Sequence, residues 1–172
     1  YYCTILFMNL QLTKNLSDKL KLTHTDFNPM TYSDIDDFHV NLLKYGRYNC
    51  VLITNDKTLY SFFLFGLKAD DFRHFEDIVR ERVFKLLMES GLSQNQFEKI
   101  LESMETFNYS KTSNKSVIAS MNDMKKRIEI FLERDDDIYQ INKKLNKTPY
   151  KAIGYKYPAE LFSEILRSKE IS

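Results

Sequence analysis

The chain has 172 residues, 43% of them hydrophobic and 28% charged, with a formal net charge of +1. That is the composition of one globular domain with room for a substantial core, and it excludes a long disordered chain or an overall polyelectrolyte binder. Four Gly and three Pro argue against long irregular linkers, and Cys3 and Cys50 lack metal-type spacing, which points to a reducing, cytoplasmic compartment.

Residues 1–7, YYCTILF, are apolar but carry no basic leader and no small-residue cleavage site. They read either as an upstream extension before Met8 or as one more edge of a sheet. Asn9–Thr13 alternates Leu10 and Leu12 with Asn9 and Gln11, the pattern of a short half-buried strand. A short helix over Lys14–Leu22 and a polar loop over Thr23–Asp37 follow. The densest stretch of β-branched, aromatic and aliphatic residues is His39–Phe65. Turns at Gly46-Arg47 and Asn55-Asp56-Lys57 divide it into strands near 39–45, 48–54 and 58–65, an antiparallel meander.

An amphipathic helix spans Ala69–Ser90, with Gly91 at its left-handed end. Ser93 and Gln96 form a capping-box pair for a helix over 94–105, and Phe107–Ser113 reads as a connector. A third long helix covers Asn114–Arg134. Asp136 or Asp137 caps a short helix to Leu145, and Pro158 opens a C-terminal one. The fold class is therefore α+β: a small antiparallel sheet, the meander plus an N-terminal strand, covered by four to five helices in a single domain. No apolar run has the length of a membrane-spanning helix, so no membrane partner is expected.

On the third long helix, Val117, Met121, Met124, Ile128, Phe131 and Leu132 share a core-facing stripe. Ser116, Ser120, Asp123 and Arg127 fall in a narrow polar row beside it. Partly buried polar groups need partners, and Asp123 and Arg127, four apart, can supply each other's. The row is then either a structural network or a small site. Lys111, Thr112 and Lys115 stand at the positive end of the same helix, where backbone amides attract phosphate or carboxylate. A second basic stretch, Asn142–Pro158, holds Lys143, Lys144, Lys147, Lys151 and Lys156 and no acid, with Tyr150, Tyr155 and Tyr157 interleaved. Lysines on phosphates and tyrosines under bases make a single-stranded nucleic-acid surface. The plainer alternative is a solvated loop whose tyrosines pack inward. If the two basic features converge, they form one anion-binding surface from Lys111, Thr112, Lys115, Lys147, Tyr150 and Lys151.

His24, His39 and His74 have no metal-ligand spacing and read as surface or boundary residues. No nucleophile elbow, P-loop or dinucleotide fingerprint is present, and the Asp34–Asp37 and Asp135–Asp137 runs lack the Gly and closing Glu of a calcium loop. No cofactor or metal is expected. The segments NCVLITNDKTLYSF and KTSNKSVIASMND resemble the two signature stretches of an uncharacterised bacterial domain family. Its members have an Arg-Cys-Leu-Leu-Phe-Thr-Asn-like strand and a Lys-Thr-x-x-Arg-Ser-Val-x-Gly-Ser-Met-Asn-Asp-like helix start. Some resemble the N-terminal part of plasmid ORF-3-type proteins. The likeness covers most of residues 8–132 and departs at Lys115, where the family has Arg, and at Ala119, where it has Gly. It implies an intact domain and carries no activity with it. The expected role is a non-catalytic binding or regulatory module with a protein or nucleic-acid partner. The alternative is an enzyme that works on a phosphorylated or nucleic-acid substrate through Ser116, Ser120, Asp123 and Arg127.

Overall fold

The computed structural model describes residues 7–28 and 36–168. The expectations for residues 1–6, for Pro29 and for Asp34 lie outside that range. Five strands, β1 (Met8–Leu12), β2 (Asp37–Tyr45), β3 (Tyr48–Asn55), β4 (Ser61–Leu67) and β5 (Phe107–Lys111), form one sheet in the order β4-β3-β2-β1-β5. The described helices are α1 (Lys14–Lys19), α2 (Ala69–Arg73), α3 (Phe75–Met88), α4 (Gln94–Ser103), α5 (Lys115–Glu133), α6 (Ile138–Asn146) and α7 (Pro158–Ser168). The class is α+β, with more helices than the four to five expected.

The sheet is mixed, which corrects the antiparallel expectation. The β2-β3-β4 meander is antiparallel as read, but β1 lies between β2 and β5 and runs parallel to both. Alternation along a strand reports which faces are buried and is silent on direction. Direction here is set by the long connections that bring the chain back to the same end of the sheet.

Two further differences have local causes. β4 starts at Ser61 instead of residue 58, because Asn55 Oδ1 accepts from the Lys57 N–H (3.2 Å), the Thr58 N–H (3.0 Å) and the Thr58 hydroxyl (2.9 Å). That side chain builds a wide turn, and Leu59 completes it at φ +59°. The helix expected over 69–90 breaks at His74, where φ −117° and ψ 40° leave the helical region. The capping boxes of α4 (Ser93 with Gln96) and α6 (Asp137 with Gln140) form as the sequence suggests.

Helices cover both faces. On one, Leu16 of α1, Phe72 of α2, Val79 and Val83 of α3, Ile100 of α4 and Phe162 of α7 pack on Leu10, Phe38, Val51 and Phe62. On the other, Val117, Met121, Met124 and Ile128 of α5 and Ile141 and Leu145 of α6 pack on Leu43, Cys50, Leu52 and Phe63. The α5 stripe is the one the periodicity predicts. Among the described residues no helix is long and apolar enough to cross a membrane.

Candidate functional site

The face of the sheet under α5 is apolar only in part. Strand alternation turns Leu10 and Leu12 to one core and Asn9 and Gln11 to the other. Register then aligns polar residues across the strands. Gln11 stands opposite Ser110 on one side and His39 on the other, His39 opposite Thr54, and Thr54 opposite Ser61. One polar row thus crosses all five strands. Asn108, Asn9 and Asp37 make a second row beside it. Asn9, Gln11, His39, Thr54 and Ser61 are all buried.

Buried polar atoms are tolerated only when bonded: Thr54 and Ser61 bond to each other at 2.9 Å, and Asn9, Gln11 and His39 belong to a separate network. The Gln11 amide donates to Asp37 Oδ1 (2.9 Å) and Asp56 Oδ2 (2.8 Å), bridging two carboxylates. Asn9 donates to the same Asp37 oxygen at 2.6 Å. Asp56 Oδ1 lies 2.5 Å from His39 Nδ1, and His39 Nε2 accepts from the Asn114 backbone N–H at 3.4 Å. That second bond fixes the neutral tautomer: the proton is on Nδ1 and is donated to Asp56. Asn108 and Ser110 donate to Asn9 Oδ1, and Ser113 donates to Gln11 Oε1. Burial is the largest influence on Asp37 and pushes its carboxyl up, the Asn9 and Gln11 bonds oppose it, and the charge of Asp56 adds to the rise. Asp37 Oδ1 takes both carboxamide bonds, and Oδ2 has no protein partner among the described residues.

The expectation that every histidine is a surface or boundary residue holds for His24 and His74, which are exposed. His39 is fully buried at the centre of this network. Sequence reading also missed Asn9, Gln11, Asp37, Asp56, Asn108 and Ser110. The available signal was a polar residue at every second position of β1, β2 and β5, but only the register puts those positions side by side. With Asn9 and Gln11 buried, β1 is covered on both faces, not half-buried.

The start of α5 stands over one end of the network through Ser113 and Asn114. Asn114 Oδ1 accepts from the Ser116 and Val117 N–H groups (3.0 and 3.3 Å), so the first free amides of the helix are already engaged. Lys111, Lys115 and Ser116 are exposed there and Thr112 is half-buried. The row further along α5 is not a buried network. Asp123 and Arg127 are exposed with no ion pair between them, because their side of the helix looks to solvent. Ser120 is buried and bonds back to the Ser116 carbonyl at 3.0 Å.

In the second basic stretch Lys147 and Lys151 are exposed, but Tyr150 is 5% exposed and donates its hydroxyl to the Leu145 carbonyl. Burial, the main cause, pushes its phenol up to about 12. Its ring belongs to the α5–α6 core and cannot stack on a base. The charges of Arg127 and Asp123 both reach Tyr150, which places this loop beside the middle of α5. Lys115 lies eight residues before Asp123, about 12 Å along the helix axis.

The family described as Domain of unknown function (DUF6933) matches residues 9–161, from β1 into α7. No curated protein and no solved structure matches the chain.

Proposed function

We propose, from the premise that this chain belongs to the family described as Domain of unknown function (DUF6933), that it is a non-catalytic binding or regulatory module. Its ligand is a small polar molecule held over the Asn9–Gln11–Asp37–His39–Asp56 network, with Lys111, Thr112, Lys115 and Ser116 at the rim. One observation carries the reading. Side chains of three strands, β1, β2 and β5, are bonded to one another and to Asp56 and Ser113 in two loops, and Asp37 Oδ2 faces this network without a protein partner among the described residues. A preorganised floor of this kind suits recognition, since no side chain must be reordered on binding. A proton-transfer role is less well supported, because both ring nitrogens of His39 are engaged and the ring is sealed. The enzyme alternative through Ser116, Ser120, Asp123 and Arg127 is less well supported, because Asp123 and Arg127 are exposed with no ion pair between them and the Ser120 hydroxyl is bonded to the Ser116 carbonyl. A bacterial, cytoplasmic setting belongs to the same proposal, and the free, buried Cys50 is consistent with a reducing compartment.

The test is a thermal-denaturation screen of small polar metabolites against the wild type and Asp37→Asn. The substitution keeps Oδ1 as the acceptor for Asn9 and Gln11 and turns Oδ2 into a donor. A ligand of this site raises the wild-type midpoint and does so much less in the variant. Stabilisation that is equal in both proteins removes the network from the binding site.

A further inference from the structure

A cavity lies at the β4 edge of the sheet, on the opposite side from β5. It has a volume of about 270 Å³ and is enclosed by four elements: β4, the end of α3, α6 and the start of α7. The inner wall is apolar and fixed. Tyr60 is stacked on Phe162 at 4.3 Å, and Phe62 and Leu86 stand beside it. At the mouth, the Tyr139 ring is 48% exposed.

The remaining walls carry opposite charge. Lys143 on α6 and Lys147 at its C-terminal cap line the cavity, are exposed and form no ion pair among the described residues. Lys144 between them faces elsewhere, bonded to Asp136 and lying over the Phe131 ring. Ala159 brings in the positive end of α7 on the same side. Across the cavity are Glu89, Ser90 and Gly91 at the end of α3, where the last helix carbonyls carry partial negative charge. Glu89 is exposed and has no ion pair either. The other polar groups are consumed internally. Asn142 and Asn146 bond to the β4 backbone, and the Ser90 hydroxyl donates to the Leu87 carbonyl.

We propose that this cavity binds a small zwitterion with an apolar body, of the class of the aromatic α-amino acids. The carboxylate lies against Lys143 and Lys147, the ammonium against Glu89 and the α3 terminus, and the side chain against Tyr60, Phe62 and Leu86 beneath Tyr139. A plain organic anion would leave Glu89 opposed to it, and a plain amine would leave the two lysines opposed. A zwitterion answers both walls.

The experiment uses the full chain and three probes: L-phenylalanine, L-phenylalaninamide, which lacks the carboxylate, and N-acetyl-L-phenylalanine, which lacks the ammonium. Binding is followed by backbone-amide NMR. Phenylalanine should perturb the amides of Gly91, Asn146 and Ala159, and each single-charge analogue should bind weaker by about tenfold or more. Replacing Lys143 and Lys147 together by Met should abolish the preference for phenylalanine over phenylalaninamide. Glu89→Gln should abolish the preference over the N-acetyl compound. The three side chains are exposed and unpaired, so the variants keep the fold. Equal affinity for all three probes, or no perturbation at those amides, overturns the proposal.

Discussion

Asp37 accepts two carboxamide hydrogen bonds, yet its carboxyl is pushed above the ordinary value of 3.8, because burial outweighs them. A carboxyl raised on folding favours the protonated form. Its contribution to stability is complete below the unfolded pKa and is lost as pH rises through the folded pKa. Asp37→Asn removes that loss while keeping Oδ1 as acceptor. The variant should be at least as stable as the wild type at pH 7, and the difference should shrink as pH falls toward 4. Urea denaturation across that range checks it, and parallel curves would show that Asp37 does not titrate there. His39 makes the larger structural contribution. His39→Ala leaves Asp56 Oδ1 without its partner and opens a void, and should cost about 2–4 kcal/mol. Arg127→Ala, on the solvent side of α5, should change stability by less than about 0.5 kcal/mol. The sequence alone suggests the reverse ranking, since it places Arg127 in a half-buried ion pair and His39 at a boundary. Helical spacing gave the right faces of α5, but the angular width of the buried stripe depends on what packs against it.

β4 is an edge strand, yet three side chains occupy its outer backbone. Asn146 accepts from the Ser61 N–H and donates to the Ser61 carbonyl, Asn142 does the same at Phe63, and Arg82 donates to the Phe65 carbonyl. Two carboxamides one helical turn apart match two outward-facing residues of a strand and act as a surrogate neighbour. Asn142→Ala with Asn146→Ala should lower stability by about 1–3 kcal/mol for each unsatisfied site. It should also produce concentration-dependent association in sedimentation velocity. A monomer at all concentrations would mean that packing of α6 alone protects the edge. In the sequence these asparagines are two polar positions in a basic run, and nothing local links them to Ser61 and Phe63. The meander was legible because its turns and alternation are local signals. β5 was not: Phe107–Lys111 is short, carries Asn108 and Ser110, and reads as a connector until β1 is placed beside it.

At the scale of the whole molecule, a net charge of +1 leaves only local patches for an anionic partner. Lys147 and Lys151 are exposed, whereas Tyr150 supports the core. Any binding of short single-stranded DNA or RNA to this loop at low salt therefore runs through lysines and not through Tyr150. Lys147→Ala with Lys151→Ala should flatten the salt dependence, and Tyr150→Ala should lower stability without a selective loss of base stacking. Titration at low and moderate salt reads both effects, and no binding at low salt leaves a protein or small-molecule partner.

The position of β1 between β2 and β5 also has a consequence in time. The Asn9 and Asn108 side chains that bond in the network are 99 residues apart in the chain. The meander contains its own pairings and is complete at Leu67, whereas β1 cannot gain its second neighbour until Lys111 is available. On a ribosome the 99 residues between Asn9 and Asn108 take roughly 5–20 s to synthesise. The polar network draws on residues from both ends of that interval, so it closes only after the rest of the sheet exists. In pulse-labelled hydrogen exchange, amides shared by β1 and β5 should gain protection after those of β2, β3 and β4.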